Sequence, residues 1–377
     1  MKYRNFTKDN LSVSQLGFGC MRFPTLDDKE TINKEESTKM LDYAIDNGVN
    51  YIDTAFPYHN EQSELFVGEY FQKNGRRKDI YLATKCPVWK AEKEGDFYNL
   101  LKLQLERLQV EYVDFYLLHA LDRQRWDKIT SLNVFQDMKR AKEEGLIRYL
   151  GFSFHDEYPL FEEICDAYDW DFTQIQLNYM DIGHQAGLQG LDYAHNKGFS
   201  VVIMEPIKGG KLAYPPQDIQ DLFKEASNDF SPSGHALAYL FNREEVSVVL
   251  SGMSSMAQVE DNVNVASIVE ANSLDEKDQD IYIEAKMIFD KRTQVGCTSC
   301  DYCMPCPQEV EIPKIFKQYN NLHVYGEESN KDLYEKLQEE NHDASHCVEC
   351  GSCESQCPQH LNIIEDLKSA HDNLTEV

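Results

Sequence analysis

"LGFGCMRF", Leu16 to Phe23, decides the fold. It is an apolar run closing on two glycines, as the first strand of an open dinucleotide-binding sheet would be. That sheet also requires a third glycine, three residues after Gly19, where the following helix packs on the strand; Arg22 stands there instead. The open-sheet reading fails at this one residue, and a closed arrangement of strands takes its place.

Seven more β-branched or aromatic runs follow it: "VNYIDTA" (49–55), "IYLATKC" (80–86), "VDFYLLH" (113–119), "IRYLGFS" (147–153), "FTQIQLN" (172–178), "SVVIMEP" (200–206) and "VSVVLSG" (246–252). Helical spacing separates them, as in Met40, Leu41, Ala44 and Ile45, or Leu101, Leu105 and Leu108. Gly48, Gly145 and Gly198 sit where left-handed caps would end three of these helices. Eight strand and helix alternations in about 250 residues predict an α/β fold of the (β/α)8 TIM-barrel type. No P-loop and no H-E-x-x-H zinc motif interrupts the pattern.

A 377-residue chain that is 42% hydrophobic can bury one large core and carry a smaller unit. The expected divisions are a barrel at 1–272, a connecting helix at 273–292 built on "DEKDQDIYIEAKMIFDK", and a cysteine-rich domain at 293–377. The net charge of −28 argues against nucleic-acid binding, which needs a basic footprint. No apolar run is long enough to span a membrane, and "MKYRNFTKDN" lacks the apolar stretch of a secretory signal, so a cytoplasmic location is expected.

In a barrel of this kind reactive groups gather at the carboxyl ends of the strands. That rule selects Asp53, Tyr58, Lys85 and His119. A lysine ammonium about 4 Å from a phenol favours the phenolate by up to about 4 kcal/mol at an effective dielectric near 20, about three pKa units. A carboxylate on that lysine cancels part of the effect. Tyr58 is then expected to act as general acid, with His119 orienting a carbonyl oxygen beside it.

The stretches "YIDTAFPY", "LATK" and "FYLLH", with the opening "YRNFTKDNLSVSQLGFGCMRF", resemble the aldo/keto reductase family over about residues 1–270. The resemblance implies reduction of a small carbonyl substrate with NADP or NAD, and a catalytic tetrad of Asp53, Tyr58, Lys85 and His119. It implies cofactor contacts from Gly19, Met21, Asp53, Ser153, Gln176, Met204, Gly209, Gly252, Ser254, Gln258 and Asn262. Three positions depart from the family pattern: Phe154 replaces an asparagine after Ser153, Met204 replaces a ring-stacking tyrosine, and Gln258 replaces an arginine. The alternation in "TQIQLNY" independently turns Gln174, Gln176 and Asn178 to one face of their strand, the barrel interior.

Eight of the eleven cysteines lie in two runs, "CTSCDYCMPCP" and "CVECGSCESQCP". The second has the C-x2-C-x2-C-x3-C-P spacing of bacterial [4Fe-4S] ligation, and the first is one residue shorter in its last gap. "CPQEVEI" and "CPQHLNI" continue them alike, an internal repeat. Structural zinc is the alternative for such thiolates, although zinc ligands more often fall into two separated pairs. Because the fourth cysteine crosses over in two-cluster ferredoxins, the expected sets are Cys297, Cys300, Cys303 and Cys357 for one cluster, and Cys347, Cys350, Cys353 and Cys306 for the other. The whole chain resembles aldo/keto reductases with a carboxyl-terminal [4Fe-4S] dicluster domain.

Three functions follow as expectations: an oxidoreductase whose two clusters relay electrons, a reductase with purely structural clusters, and a nucleotide-binding redox sensor without turnover. A hydride carries two electrons and a cluster one, so a flavin is a candidate mediator and a ferredoxin-like protein a candidate partner. Substrate and oligomeric state have no signature in the sequence.

Overall fold

The computed structural model describes residues 1–297, 301–357 and 359–376. It divides into two compact units, Met1–Ala213 with Asn228–Gln279, and Tyr214–Ser227 with Asp280–Val377. Tyr214–Ser227, inside the span expected for the barrel, thus groups with the carboxyl-terminal unit. The connecting helix is Glu276–Arg292.

The first unit opens with an antiparallel hairpin, β1 (Tyr3–Phe6) and β2 (Leu11–Ser14). Eight parallel strands follow: β3 (Leu16–Gly19), β4 (Tyr51–Asp53), β5 (Tyr81–Cys86), β6 (Val113–Leu121), β7 (Ile147–Phe154), β8 (Phe172–Gln176), β9 (Ser200–Met204) and β10 (Val246–Gly252). They close into a barrel in sequence order, β10 pairing with β3. Each of the eight runs singled out above is one of these strands. Gly48, Gly145 and Gly198 follow their helices with φ of 95°, 73° and 81°, the left-handed conformation that ends a helix without a Cβ clash.

Side chains alternate along a strand, so one inward residue fixes the rest. Tyr51, Ala83, Phe115, Phe172, Val202 and Val248 pack together inside the barrel. Two residues on from four of these lie Asp53, Lys85, Gln174 and Met204, inward and nearer the carboxyl ends. Phe6 of the hairpin reaches into the same cluster, with ring centroids 4.7 Å from Phe115 and 5.7 Å from Phe172. The Arg4 guanidinium donates to the carbonyls of Phe241, Arg243 and Val246. The hairpin is therefore the floor of the barrel, which leaves the opposite end as its mouth.

The second unit is helical: Ile312–Tyr325, Ser329–Glu339 and Ile363–Thr375 pack around Phe316, Tyr319, Tyr334, Leu337, Leu367 and Leu374. Cys297, Cys303, Cys306, Cys347, Cys353 and Cys357 lie against that core. The sequence repeat is also a backbone repeat. Glu309 and His360, each three residues after a Cys-Pro cysteine, have φ of 59° and 51°, and Glu309 and His360 N–H donate back to Cys306 and Cys357 carbonyls at 2.9 and 3.1 Å. Each turn then leads into a helix starting at an isoleucine, Ile312 or Ile363. Among the described residues no helix is long and apolar enough to cross a membrane.

Candidate active site

At the mouth of the barrel β4, β5 and β6 deliver three of the four selected residues, and the turn after β4 delivers the fourth. Lys85 is wholly buried, and an ammonium has three N–H donors to place. All three are used: Asp53 Oδ1 at 2.5 Å, the Thr54 carbonyl at 2.9 Å and Tyr58 Oη at 3.1 Å. The Lys85 Nζ also lies 4.8 Å from the centroid of the Tyr58 ring. The His119 and Tyr58 ring centroids are 6.2 Å apart at 81°, and the Trp89 ring is 5.3 Å from that of His119. The four predicted residues are one constellation.

Burial sets the protonation states. It opposes the Lys85 ammonium, but the Asp53 carboxylate, helped by the hydrogen bond that Tyr58 Oη accepts, outweighs it and holds that pKa above the usual lysine value. Burial also pushes the Asp53 carboxyl up, with Lys85 opposing. For His119, burial first and then Lys85, His155 and Arg125 press the imidazole well below its ordinary value, so it is neutral and keeps one N–H donor. Tyr58 corrects the sequence expectation. Its pKa is raised, not lowered, because desolvation of a buried phenolate outweighs the attraction of Lys85, and Asp53 repels it as well. The phenol keeps its proton, the form in which it can donate.

Buried polar atoms normally find partners, and those that do not often mark a site. Asp53 Oδ2, His119 Nδ1 and Gln174 Oε1 are buried without a hydrogen bond. All three belong to inward residues at the mouth. Gln174 Nε2 lies 3.4 Å from the Met204 sulfur, Gln176 Nε2 is 3.4 Å from Asp181, and Asn178 donates to Asp181 at 3.1 Å. Asp181 also takes an ion pair from Lys208 at 2.5 Å. Ser153 Oγ accepts from the Ala120 N–H at 2.7 Å. Gly209 and Gly210, with φ of 64° and 99°, turn the chain after β9.

The remaining predicted cofactor contacts gather where β3 meets β10. Gly19 pairs with both Gly252 and Asp53. Exposed Met21 and Arg22 follow, and a Cβ on Gly252 would come within 2.7 Å of the Arg22 stem. Asn262 donates to Ser251 at 2.9 Å. Gln258 is occupied: Ser255 caps its N–H while Gln258 Oε1 accepts from Ser254 N–H at 2.7 Å, a reciprocal lock on the start of the helix Met256–Ile268. Sequence reasoning missed Trp89 and Thr54. Only their places one to five residues from a predicted residue could have signalled them.

In the second unit two cavities are ringed by thiols. One is lined by Cys297, Cys303 and Cys357 with Ile312, Phe316 and Leu361. The other is lined by Cys303, Cys306, Cys347, Cys350 and Cys353, with Val310 among its apolar walls. Each cavity draws cysteines from both runs. Cys300, expected in the first set, lies outside the described residues. Among the described residues no three His, Cys, Asp or Glu side chains converge as ligands of a single ion.

Comparison with known proteins agrees with both units. Residues 15–279 match the model of the aldo/keto reductase family, and residues 296–362 match that of the 4Fe-4S dicluster domain. The chain is 28% identical over 298 residues to the uncharacterized oxidoreductase YqkF of Bacillus subtilis, covering 71% of this chain and 92% of that protein. It is 28% identical over 319 residues to L-galactose dehydrogenase of Arabidopsis thaliana, covering 77% and 95%. Among solved structures, the holo form of aldo-keto reductase AKR11C1 from Bacillus halodurans superposes with a TM-score of 0.63 at 26% identity, covering 76% and 96% of the two chains. A Klebsiella pneumoniae aldo-keto reductase in complex with NADPH shares the fold at 19% identity, with a TM-score of 0.63 and the same coverage. The chain belongs to the aldo/keto reductase family, its barrel followed by a 4Fe-4S dicluster domain.

Proposed function

We propose that the barrel reduces a small carbonyl compound with a nicotinamide dinucleotide, and that the carboxyl-terminal unit holds two [4Fe-4S] clusters that exchange single electrons with a carrier outside the chain. The observation that carries the first half is the wholly buried Lys85 ammonium with its three donors committed to Asp53, Thr54 and Tyr58. The dinucleotide supplies a hydride when bound. The chain supplies the proton: Tyr58 Oη, kept as a phenol by burial, donates it to the carbonyl oxygen as negative charge develops there. The adjacent ammonium then stabilises the phenolate left behind, and neutral His119 donates to the same oxygen to orient it. Gln174, Gln176, Ser153 and the glycines after β9 and β10 supply amides, a hydroxyl and approachable backbone for the dinucleotide, and the unpartnered Gln174 Oε1 fits an amide donor.

For the clusters, the donor chemistry fits: thiols of Cys297, Cys303 and Cys357 line one cavity and those of Cys303, Cys306, Cys347, Cys350 and Cys353 the other, which supports crossed ligation, with Cys300 assigned to the first set by its spacing in the sequence. The test uses anaerobically prepared full chain. Tyr58→Phe should abolish dinucleotide-dependent reduction of an aldehyde panel, by about 10²-fold or more, with iron and sulfide content unchanged. Full activity in Tyr58→Phe would refute the barrel chemistry. A parent chain whose reduced clusters hand no electrons to any added one-electron acceptor would refute the electron-exchange role.

A further inference from the structure

Three consecutive residues after Tyr58 lie in the left-handed region, His59 at φ 51°, Asn60 at 50° and Glu61 at 65°. None is glycine, and side chains disfavour this conformation, so a run of three persists only where surrounding contacts hold it. The contacts are specific. His59 Nε2 accepts from the Phe23 N–H at 3.1 Å. At the end of the turn, Arg107 donates through Nη2 to the Glu61 carbonyl and through Nε to Glu64 Oε2 at 2.7 Å, with its guanidinium 4.5 Å from the Phe56 ring.

Glu64 is fully buried, and its other oxygen accepts from Thr84 Oγ1 at 2.7 Å and Gln104 Nε2 at 2.6 Å. Thr84 precedes Lys85 on β5 and faces outward where Lys85 faces inward. Gln104 Nε2 also donates to the Lys85 carbonyl at 2.9 Å, and Gln104 Oε1 is held by Tyr116 Oη at 2.7 Å. One buried carboxylate therefore ties together the strand that carries the ammonium and, through Arg107, the turn that carries the phenol. The tetrad uses neither Glu64 nor Arg107.

We infer that Glu64 and Arg107 are positioning residues that fix Tyr58 Oη against Lys85 Nζ, with Arg107 bracing the left-handed turn. This rests on the tetrad acting as proposed. Arg107→Lys keeps a cation for Glu64 but lacks the guanidinium fork needed to reach the Glu61 carbonyl as well. Misplacement of a reacting group by about 1 Å costs on the order of 10²-fold in rate. Arg107→Lys should therefore lower kcat by about 10- to 100-fold at a temperature where circular dichroism shows it folded. The KM for the dinucleotide should stay within about twofold, and the isotope effect from a deuterated dinucleotide should rise as chemistry becomes limiting. Adding Asn60→Gly, which removes a left-handed side chain's cost, should restore part of the lost kcat. Glu64→Gln should give the same kinetic pattern with a lower melting temperature. A lowered melting temperature with parental kcat in Arg107→Lys overturns the inference, and failure of Asn60→Gly to restore any activity overturns the turn as its route. If Tyr58→Phe is fully active, the tetrad reading has failed and this inference falls with it; an inactive Tyr58→Phe beside a parental kcat in Arg107→Lys overturns this inference alone.

Discussion

Replacing Asp53 by Asn tests the balance of charge at the mouth through folding stability, independently of substrate. The substitution keeps an acceptor for Lys85 Nζ but removes the carboxylate that sits 2.5 Å away. At that distance and an effective dielectric near 20, the lost attraction is about 7 kcal/mol as an upper bound. Each 1.36 kcal/mol is one unit of proton affinity, so even half of it carries the buried ammonium far down from the lysine range. In the parent, Lys85 binds its proton more tightly folded than unfolded. That contribution is fully present below the ordinary lysine pKa and is lost only as pH rises through the higher folded value, so Lys85 imposes no slope between about pH 7 and 9.5. In Asp53→Asn the order reverses, because burial of an unpaired ammonium now dominates. The unfolded chain binds more protons, and stability should rise with pH by up to about 1.4 kcal/mol per unit in that window. At pH 7 the variant should be about 3–5 kcal/mol less stable, the usual cost of breaking a buried pair from one side. All three tryptophans, Trp89, Trp126 and Trp170, lie in the first unit, so urea unfolding followed by tryptophan fluorescence reports the barrel alone. Subtracting the parent cancels other titrations. A flat difference from pH 7 to 9.5 would refute the assignment of Asp53 as the partner that keeps Lys85 charged.

Other expectations can be checked as directly. Cys306→Ala should remove the same cluster signal from the electron paramagnetic resonance spectrum as Cys347→Ala, a different one from Cys297→Ala, and each should lower iron from about eight to about four per chain; matching loss in Cys306→Ala and Cys297→Ala would show uncrossed ligation. Phe6→Ala should cost about 3–5 kcal/mol of barrel stability while kcat stays within about twofold, since Phe6 plugs the floor and not the mouth. Because burial holds His119 neutral, the rate of carbonyl reduction should show no limb from this residue near the ordinary histidine pKa of about 6.5; a fall there that His119→Gln abolishes would contradict it.

The barrel was legible because its signal is periodic: each strand-forming run is short, β-branched and repeated, and parity along β4, β5 and β6 turns Asp53, Lys85 and His119 inward while their places near the strands' carboxyl ends bring them to one mouth. The sign of the Tyr58 pKa was not legible. It depends on how completely the phenol is desolvated, which only packing reveals, and in the folded chain burial outweighs the neighbouring ammonium. Gln258 stands where the family pattern has an arginine, yet its Oε1 accepts from the Ser254 N–H while its backbone N–H is capped by Ser255, a use that a position-by-position comparison does not expose. Ile363, Leu367, Ala370 and Leu374 form the buried stripe of the final helix. Their i, i+4, i+7 and i+11 spacing is the one signal of that stripe in the sequence. The grouping of Tyr214–Ser227 with the second unit had no local signature, because it is a matter of long-range contact.

The thiol rings have a consequence for biogenesis. Each cavity borrows cysteines from both runs, so neither is finished while the chain ends before the second run. On the proposed assignment, both clusters must wait during synthesis until nearly the whole polypeptide has emerged, and a protein clipped between the runs would lose both at one cut.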